Sequence, residues 1–307
     1  MRYFVTGASG HIGSALVPEL IGAGHQVVGL ARSDESAAAL AAQGADVHRG
    51  DLDDLDALAA AAAASDGVAH LAYKHDLAFG PDPEGFVRAA ESDLRVVQAI
   101  GAALEGSGKP FVTTGGTLLL AMVAPGRLGT EADSVEGGPR VDSENATIAL
   151  ADRGVRSSVI RLAPVVHSTL DHHGFTSQLI GIARGAGSAA YVGEGSNRWP
   201  AFHTLDAGVL YRRALESAPA GTRLHGVGDE GIPFRQIAEV MGRHLDVPVV
   251  SIEPEDAEAR FGPLARLVVL DNPTSNARTR EVLDWAPTHV GLIGDLEEGH
   301  YFAGVTA

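Results

Sequence analysis

Gly7, Gly10 and Gly13 directly follow the apolar run Tyr3-Phe4-Val5 and open a helical pattern that runs through Leu20. A strand, a glycine turn and a helix in that order make a cradle for phosphate. Gly7 permits a tight turn with positive φ, Gly10 lets the backbone approach a pyrophosphate, and Gly13 lets the helix pack closely on the strand. Ser9, His11 and Ile12 complete the turn, and the helix start offers amides and a positive dipole end to the phosphates. The chain holds 38 glycines, so the strand-turn-helix context rather than the spacing carries the reading of a dinucleotide site.

The residues after the second strand, Gln26 to Leu30, report on the ribose. An acid there would accept hydrogen bonds from a 2′-hydroxyl and repel a 2′-phosphate. Here the strand leads into Ala31-Arg32-Ser33, where Arg32 can pair with a phosphate and stack on adenine, and Ser33 can donate a further bond. Asp34 opposes this but reads as a helix-start residue, so the local chemistry favours NADPH over NADH. Asp51 and Leu52, after a short third strand Asp46-Val47-His48, flank the adenine, with Asp51 also able to cap the next helix. Leu71 and Ala72, closing a fourth strand from Gly67 to Ala72, and Tyr73 just after it border the same crevice, as does Thr113, where Pro110 to Thr113 leads into a fifth strand.

Short apolar strands alternating with helical patterns are the mark of a parallel sheet covered on both faces. Beyond Gly115 the pattern loosens. Val155 to Leu162 reads as a buried strand broken by Ala163-Pro164, a helix lies near 175–184, and Leu224 to Val227 returns to the main sheet. Ile232 to Leu245 reads as an amphipathic helix started by Pro233, and Val247 to Ile252 as a strand. The fold class expected is α/β, a doubly wound parallel sheet over residues 1–165 with a return near 203–228. A smaller, interleaved substrate region takes residues 166–307.

The 307 residues carry a net charge of −16 and no cysteine, which excludes disulfides, thiolate zinc sites and a cysteine nucleophile. So acidic a surface repels polyphosphate, so nucleic acid is not an expected partner; a small-molecule substrate is. The longest apolar run, Leu118 to Ala124, is too short to span a bilayer, and the first residues lack a secretory pattern, so a cytoplasmic location is expected. Lysine occurs only at Lys74 and Lys109.

Thr6-Gly7-Ala8-Ser9-Gly10-His11-Ile12-Gly13, Gly50-Asp51-Leu52 and His70-Leu71-Ala72 together resemble an extended or atypical short-chain dehydrogenase/reductase. Arg161-Leu162-Ala163-Pro164 and His203-Thr204-Leu205-Asp206 extend the resemblance over nearly the whole chain, in the subgroup akin to nucleotide-sugar epimerases. It implies a Rossmann domain, a small C-terminal substrate domain, a homodimer, and contact of Ala163 and Pro164 with nicotinamide. The chain departs from that family where chemistry is done. Tyr3, Tyr73, Tyr191, Tyr211 and Tyr301 all lack a lysine four positions later, so the usual Tyr-x-x-x-Lys pair is absent. Its best local match, Arg140-Val141-Asp142-Ser143-Glu144, puts arginine for tyrosine and glutamate for lysine, and the usual serine falls on Gly115 beside Thr114.

Arg140 could polarise a carbonyl while Thr114 or Thr113 hydrogen-bonds its oxygen, with Glu144 holding Arg140 one helical turn away. The same pair could equally be a surface ion pair. Tyr73-Lys74-His75-Asp76 offers a second donor set, with Tyr73 or His75 as proton source. His167 and His173 stand where a substrate-facing loop would begin, and Trp199 with Phe202 suggests aromatic pocket walls. Asp171, His172 and His173 lack a well-spaced further ligand, so no metal is expected. Arg198 is the main cation available for a substrate diphosphate, while His203 and Asp206 read as interface braces. These residues point to an NADPH-dependent oxidoreductase that reduces a small carbonyl or imine through an atypical proton relay. The alternatives are a non-catalytic NADP(H)-binding sensor or regulator, and a sugar-nucleotide epimerase or dehydratase.

Overall fold

The structure is a computed structural model that describes residues 1–303. The apolar runs read from the sequence line up as β1 (Arg2–Thr6), β2 (Gln26–Ala31), β3 (Asp46–Arg49), β4 (Gly67–His70), β5 (Pro110–Gly116) and β6 (Arg156–Leu162). Later come β7 (Val165–His167), β8 (Ala189–Val192), β9 (Arg198–His203), β10 (Thr222–Gly226), β11 (Asp229–Pro233) and β12 (Val249–Ile252). The main sheet has seven strands in the order β10-β6-β5-β4-β1-β2-β3, all parallel.

Alternation along β1 divides the core between the two faces of this sheet. Tyr3 and Val5 face the helices Gly13–Gly22 and Thr204–Ser217, packing with Leu16, Leu20 and Leu210. Phe4 faces the opposite layer and packs with Leu58, Val96 and Ile100 from the helices Leu55–Ala63 and Gly85–Leu104. Both faces are therefore dry, as a parallel sheet requires. A second core forms around Trp199, Phe234, Phe261 and Leu292, covering a three-stranded sheet β11-β9-β7 and the parallel pair β12-β8. The main sheet takes its edge strand β10 from beyond these smaller sheets, pairing it with β6.

Local departures from the sequence reading have local causes. β4 stops at His70, so Leu71 to Tyr73 belong to a loop at the sheet's C-terminal edge. β5 runs on through Gly115 and Gly116, which pair with Arg161 and Leu162. A Cβ at Gly115 would lie 3.3 Å from a carboxylate oxygen of Glu144, a tight fit that glycine avoids. The helix after β3 starts at Leu55 and is capped by Asp54, whose carboxylate accepts the Ala57 amide at 3.0 Å, rather than by Asp51.

Candidate active site

β1 is flanked by β2 on one side and β4 on the other, so the chain order reverses here and a crevice opens beyond the strand ends. The glycine turn sits in that crevice. Gly7 has φ +68°, and a Cβ on it would stand 2.7 Å from the Ala72 amide nitrogen; a Cβ on Gly13 would stand 2.2 Å from the Gly7 carbonyl oxygen. Ser9 and Gly10 are exposed, and Ile12 caps the helix without a side-chain oxygen. The His11 ring turns inward to Thr204 at 2.8 Å, so it braces the turn against the helix Thr204–Ser217. Leu71 packs against the core under the turn, and Ala72 donates to the Thr6 hydroxyl at 3.3 Å.

At the ribose end Arg32 is 80% exposed, and its nearest acid, Asp76, is 3.9 Å away. Ser33 is the helix N-cap: its hydroxyl is engaged in a reciprocal bond set with Ser36, so a phosphate would have to compete for it. Asp34 is indeed the first helical residue, and its charge is answered by Arg49 at 2.8 Å. Arg49, closing β3, also donates to the Ser33 carbonyl. Sequence reading missed Arg49; the available signal was a basic residue ending the third strand beside the Arg32 turn. Asp51 accepts the Asp53 amide at 2.8 Å, and Leu52 packs on the core below.

The end expected to react is built from the loop after β4 and the C-terminal half of β5. Thr114 donates its hydroxyl hydrogen to the His70 carbonyl at 2.9 Å and accepts from the buried Tyr211 hydroxyl at 2.8 Å. Thr113 is buried against Thr147 at 3.0 Å. Neither threonine therefore presents a donor hydrogen to a substrate, contrary to the sequence expectation. The expected pairing of Glu144 with Arg140 is also absent. Arg140 precedes the helix Val141–Ala149 with φ +69° and ψ −31°, which aims its side chain away from the helical face on which Glu144 lies. Glu144 instead bonds Arg161 at 2.9 and 2.5 Å and Arg223 at 2.7 Å, sealed from solvent. Burial pushes its carboxyl up, but the two guanidinium groups outweigh burial and hold it below the ordinary range.

Arg140 reaches Asp93 at 3.0 Å and the Thr114 carbonyl at 2.8 Å, and its guanidinium lies 4.1 Å from the centre of the Tyr73 ring. Asp93 in turn accepts from His70 at 3.1 Å, and His70 bonds Thr6 at 2.6 Å. Burial raises the Asp93 carboxyl, but the His70 hydrogen bond and the Arg140 cation more than reverse it. A polar chain Thr6–His70–Asp93–Arg140 thus runs under the crevice. Its centre was legible in principle, because Asp93 is the charged residue in an otherwise apolar stripe of Ala89, Ala90, Val96, Val97 and Ile100.

The region expected to hold substrate is packed differently. His167 is 1% exposed and bonds Asp295 at 2.9 Å; its ring meets His203, which stacks on His289 with centroids 4.6 Å apart. Trp199 is wholly buried between Phe175 and Phe234, and Phe202 is buried against Trp285, so neither forms a pocket wall. Both lie on β9, whose strand position places them in the core. His173 is exposed, and Arg198 is clamped on Asp271 at 3.0 and 2.8 Å, leaving it poorly placed for a diphosphate. Asp206 accepts from Thr288, His289 and the His289 ring, the brace expected of it. Ala163, buried, and Pro164 link β6 to β7 beside the site.

Comparison with known proteins agrees with this geometry. Residues 3–133 match the model of the NAD dependent epimerase/dehydratase family. The chain is 44% identical to the uncharacterized protein C2A9.02 of Schizosaccharomyces pombe, covering 98% of this chain and all of that one. It is 28% identical to the 2′-dehydrokanamycin reductase of Streptomyces kanamyceticus over 97% of this chain and 88% of that protein. The structure of human epimerase family protein SDR39U1 with NADPH superposes with a TM-score of 0.73 at 21% identity, covering 97% of this chain and 98% of that one. A glycine turn closed on Ala72 at the crevice between β1 and β4, within a sheet of this order, places the chain in the NAD-dependent epimerase/dehydratase family of extended short-chain dehydrogenases/reductases.

Proposed function

We propose that the chain is an NADPH-dependent oxidoreductase that reduces a small, weakly polar carbonyl or imine. The observation that carries the cofactor choice is the pair of arginines beside the end of β2, Arg32 open to solvent with Asp76 3.9 Å away, and Arg49 paired with Asp34 at 2.8 Å. The glycine turn suits a pyrophosphate at the start of the helix, and its shape depends on Gly7 and Gly13, where a side chain would run into the Ala72 backbone and the turn's own carbonyls. Leu71 and Ala72 border the glycine turn, and by the family resemblance Ala163 and Pro164 would contact the nicotinamide. NADPH, when bound, supplies the hydride. Arg140, fixed by Asp93 and the Thr114 carbonyl, polarises the substrate carbonyl. The name of the Streptomyces relative, a reductase, supports the same class.

A second reading, an NADP(H)-binding regulator without turnover, is favoured by the inward commitment of Thr113, Thr114 and Glu144. Titration with both cofactors, followed by a carbonyl panel, separates the two. Arg32→Ala should weaken NADPH by about 10–100-fold while leaving NADH nearly unchanged, as expected for one or two charge-assisted bonds. Equal losses for both cofactors would sink the 2′-phosphate assignment. Tight NADPH binding with no carbonyl reduced would favour the regulator.

A further inference from the structure

At the reacting end Thr113 and Thr114 commit their hydroxyl hydrogens inward, while two buried hydroxyls are left without a partner, Ser143 near Asp93 and Tyr73 on the loop after β4. The Tyr73 hydroxyl is shielded from water and has no partner. Leaving a buried hydroxyl unbonded costs about 1–3 kcal/mol, so its position calls for a bond made in another state of the molecule. The Arg140 guanidinium lies 4.1 Å from the centre of the same ring. Arg140 stands at φ +69°, ψ −31°, a conformation that non-glycine residues avoid and that persists where surrounding contacts over-determine it, often at working sites. Asp93 and the Thr114 carbonyl are those contacts. The exposed His75 lies edge-on to Tyr73, with ring centroids 5.2 Å apart.

We propose that Tyr73 donates the proton to the substrate oxygen, with Arg140 stabilising the phenolate that results, so that the acid stands in the loop after β4 rather than at the Arg140 position. The assignment rests on the reductase reading above. As the carbonyl carbon accepts the hydride, a C–H bond forms and the C–O π pair moves to oxygen. That oxygen takes the Tyr73 proton, and the phenolate regains a proton from water. In sum, a carbonyl, NADPH and one proton become an alcohol and NADP⁺. Burial raises the phenol's proton affinity while Arg140 partly opposes it, so the group stays protonated at neutral pH, as a donor must.

The test uses the full chain with benzaldehyde, hexanal and cyclohexanone as probes. Tyr73→Phe should lower kcat by about 10²–10⁴-fold, the usual contribution of a positioned acid. KM and the NADPH Kd, read by fluorescence, should stay within about twofold, because the ring is retained. Arg140→Lys, which keeps the charge but loses the planar fork, should retain an intermediate rate. The alkaline absorbance difference between wild type and Tyr73→Phe isolates this phenol's titration, and Arg140→Ala should move it to higher pH. Wild-type-like turnover by Tyr73→Phe, or a titration unmoved in Arg140→Ala, overturns the assignment while the reductase reading stands. A wild type that binds NADPH but reduces none of the probes overturns the reductase reading, and the donor role with it.

Discussion

Arg140 shows how one residue can be both a cost and a support. Its left-handed backbone costs about 1–3 kcal/mol, which glycine would relieve. Removing its side chain would leave Asp93 buried with only His70 to answer its charge, a loss of about 3–5 kcal/mol. The second term is larger, so Arg140→Gly should destabilise the protein by about 1–3 kcal/mol in urea unfolding. Adding Asp93→Asn should recover much of that loss, because the stranded charge is gone. If the two changes simply add, the ion pair is not what holds the strained backbone. Arg140, Tyr73 and Arg32 could be picked from the sequence by type and position. The direction in which Arg140 points could not, because it depends on a single positive φ at a helix start.

Elements set which of the candidate residues face the crevice. β5 is extended by Gly115 and Gly116, which bring β6 close and let Arg161 reach Glu144 beneath the sheet edge. That junction takes Glu144 out of the chemistry and makes it a structural anion between Arg161 and Arg223. Glu144→Gln should therefore cost about 3 kcal/mol of stability by denaturant titration, with NADPH affinity changed by no more than about twofold. A large loss of affinity at unchanged stability would return Glu144 to the binding site. Strand identity was readable because apolar runs, glycine turns and capping residues such as Ser33 agree with one another. Trp199 and Phe202 were misplaced because aromatic residues on a strand fit a core as readily as a pocket, and only β9's partners decide between them.

Across the whole molecule, the two cores meet through histidines. His167 meets His203 edge-on and His203 stacks on His289, a run of rings held between Asp295 and Asp206 that joins the helix Thr204–Ser217 to the C-terminal segments. Burial, reinforced by the neighbouring rings of His167 and His289, lowers the His203 pKa from 6.5 to about 4. The folded-state value is depressed, so the unfolded chain binds the proton more readily between these limits. Stability from this group is thus full above pH 6.5 and is lost as pH falls toward about 4. Melting temperature should fall over that window, before Asp93 and Glu144, held below ordinary carboxylate values, begin to titrate. His203→Asn should flatten the fall; an unchanged slope would assign it to other groups. The pattern His-Thr-Leu-Asp marked the brace in the sequence, but its partners lie more than 80 residues further along the chain.

The late arrival of β10, and of the helix that carries Tyr211 to Thr114, bears on how the protein is made. A ribosome that has released the first 165 residues has delivered the phosphate cradle, but neither the last strand of its sheet nor the support under its reacting end. The nascent chain must then wait, with one sheet edge open and the helix packing surface around Leu16 and Leu20 uncovered, until the segment through Gly226 emerges. A chain truncated after Pro164 should accordingly precipitate or bind chaperone rather than NADPH, and co-expression of residues 165–307 in trans should restore soluble, cofactor-binding protein.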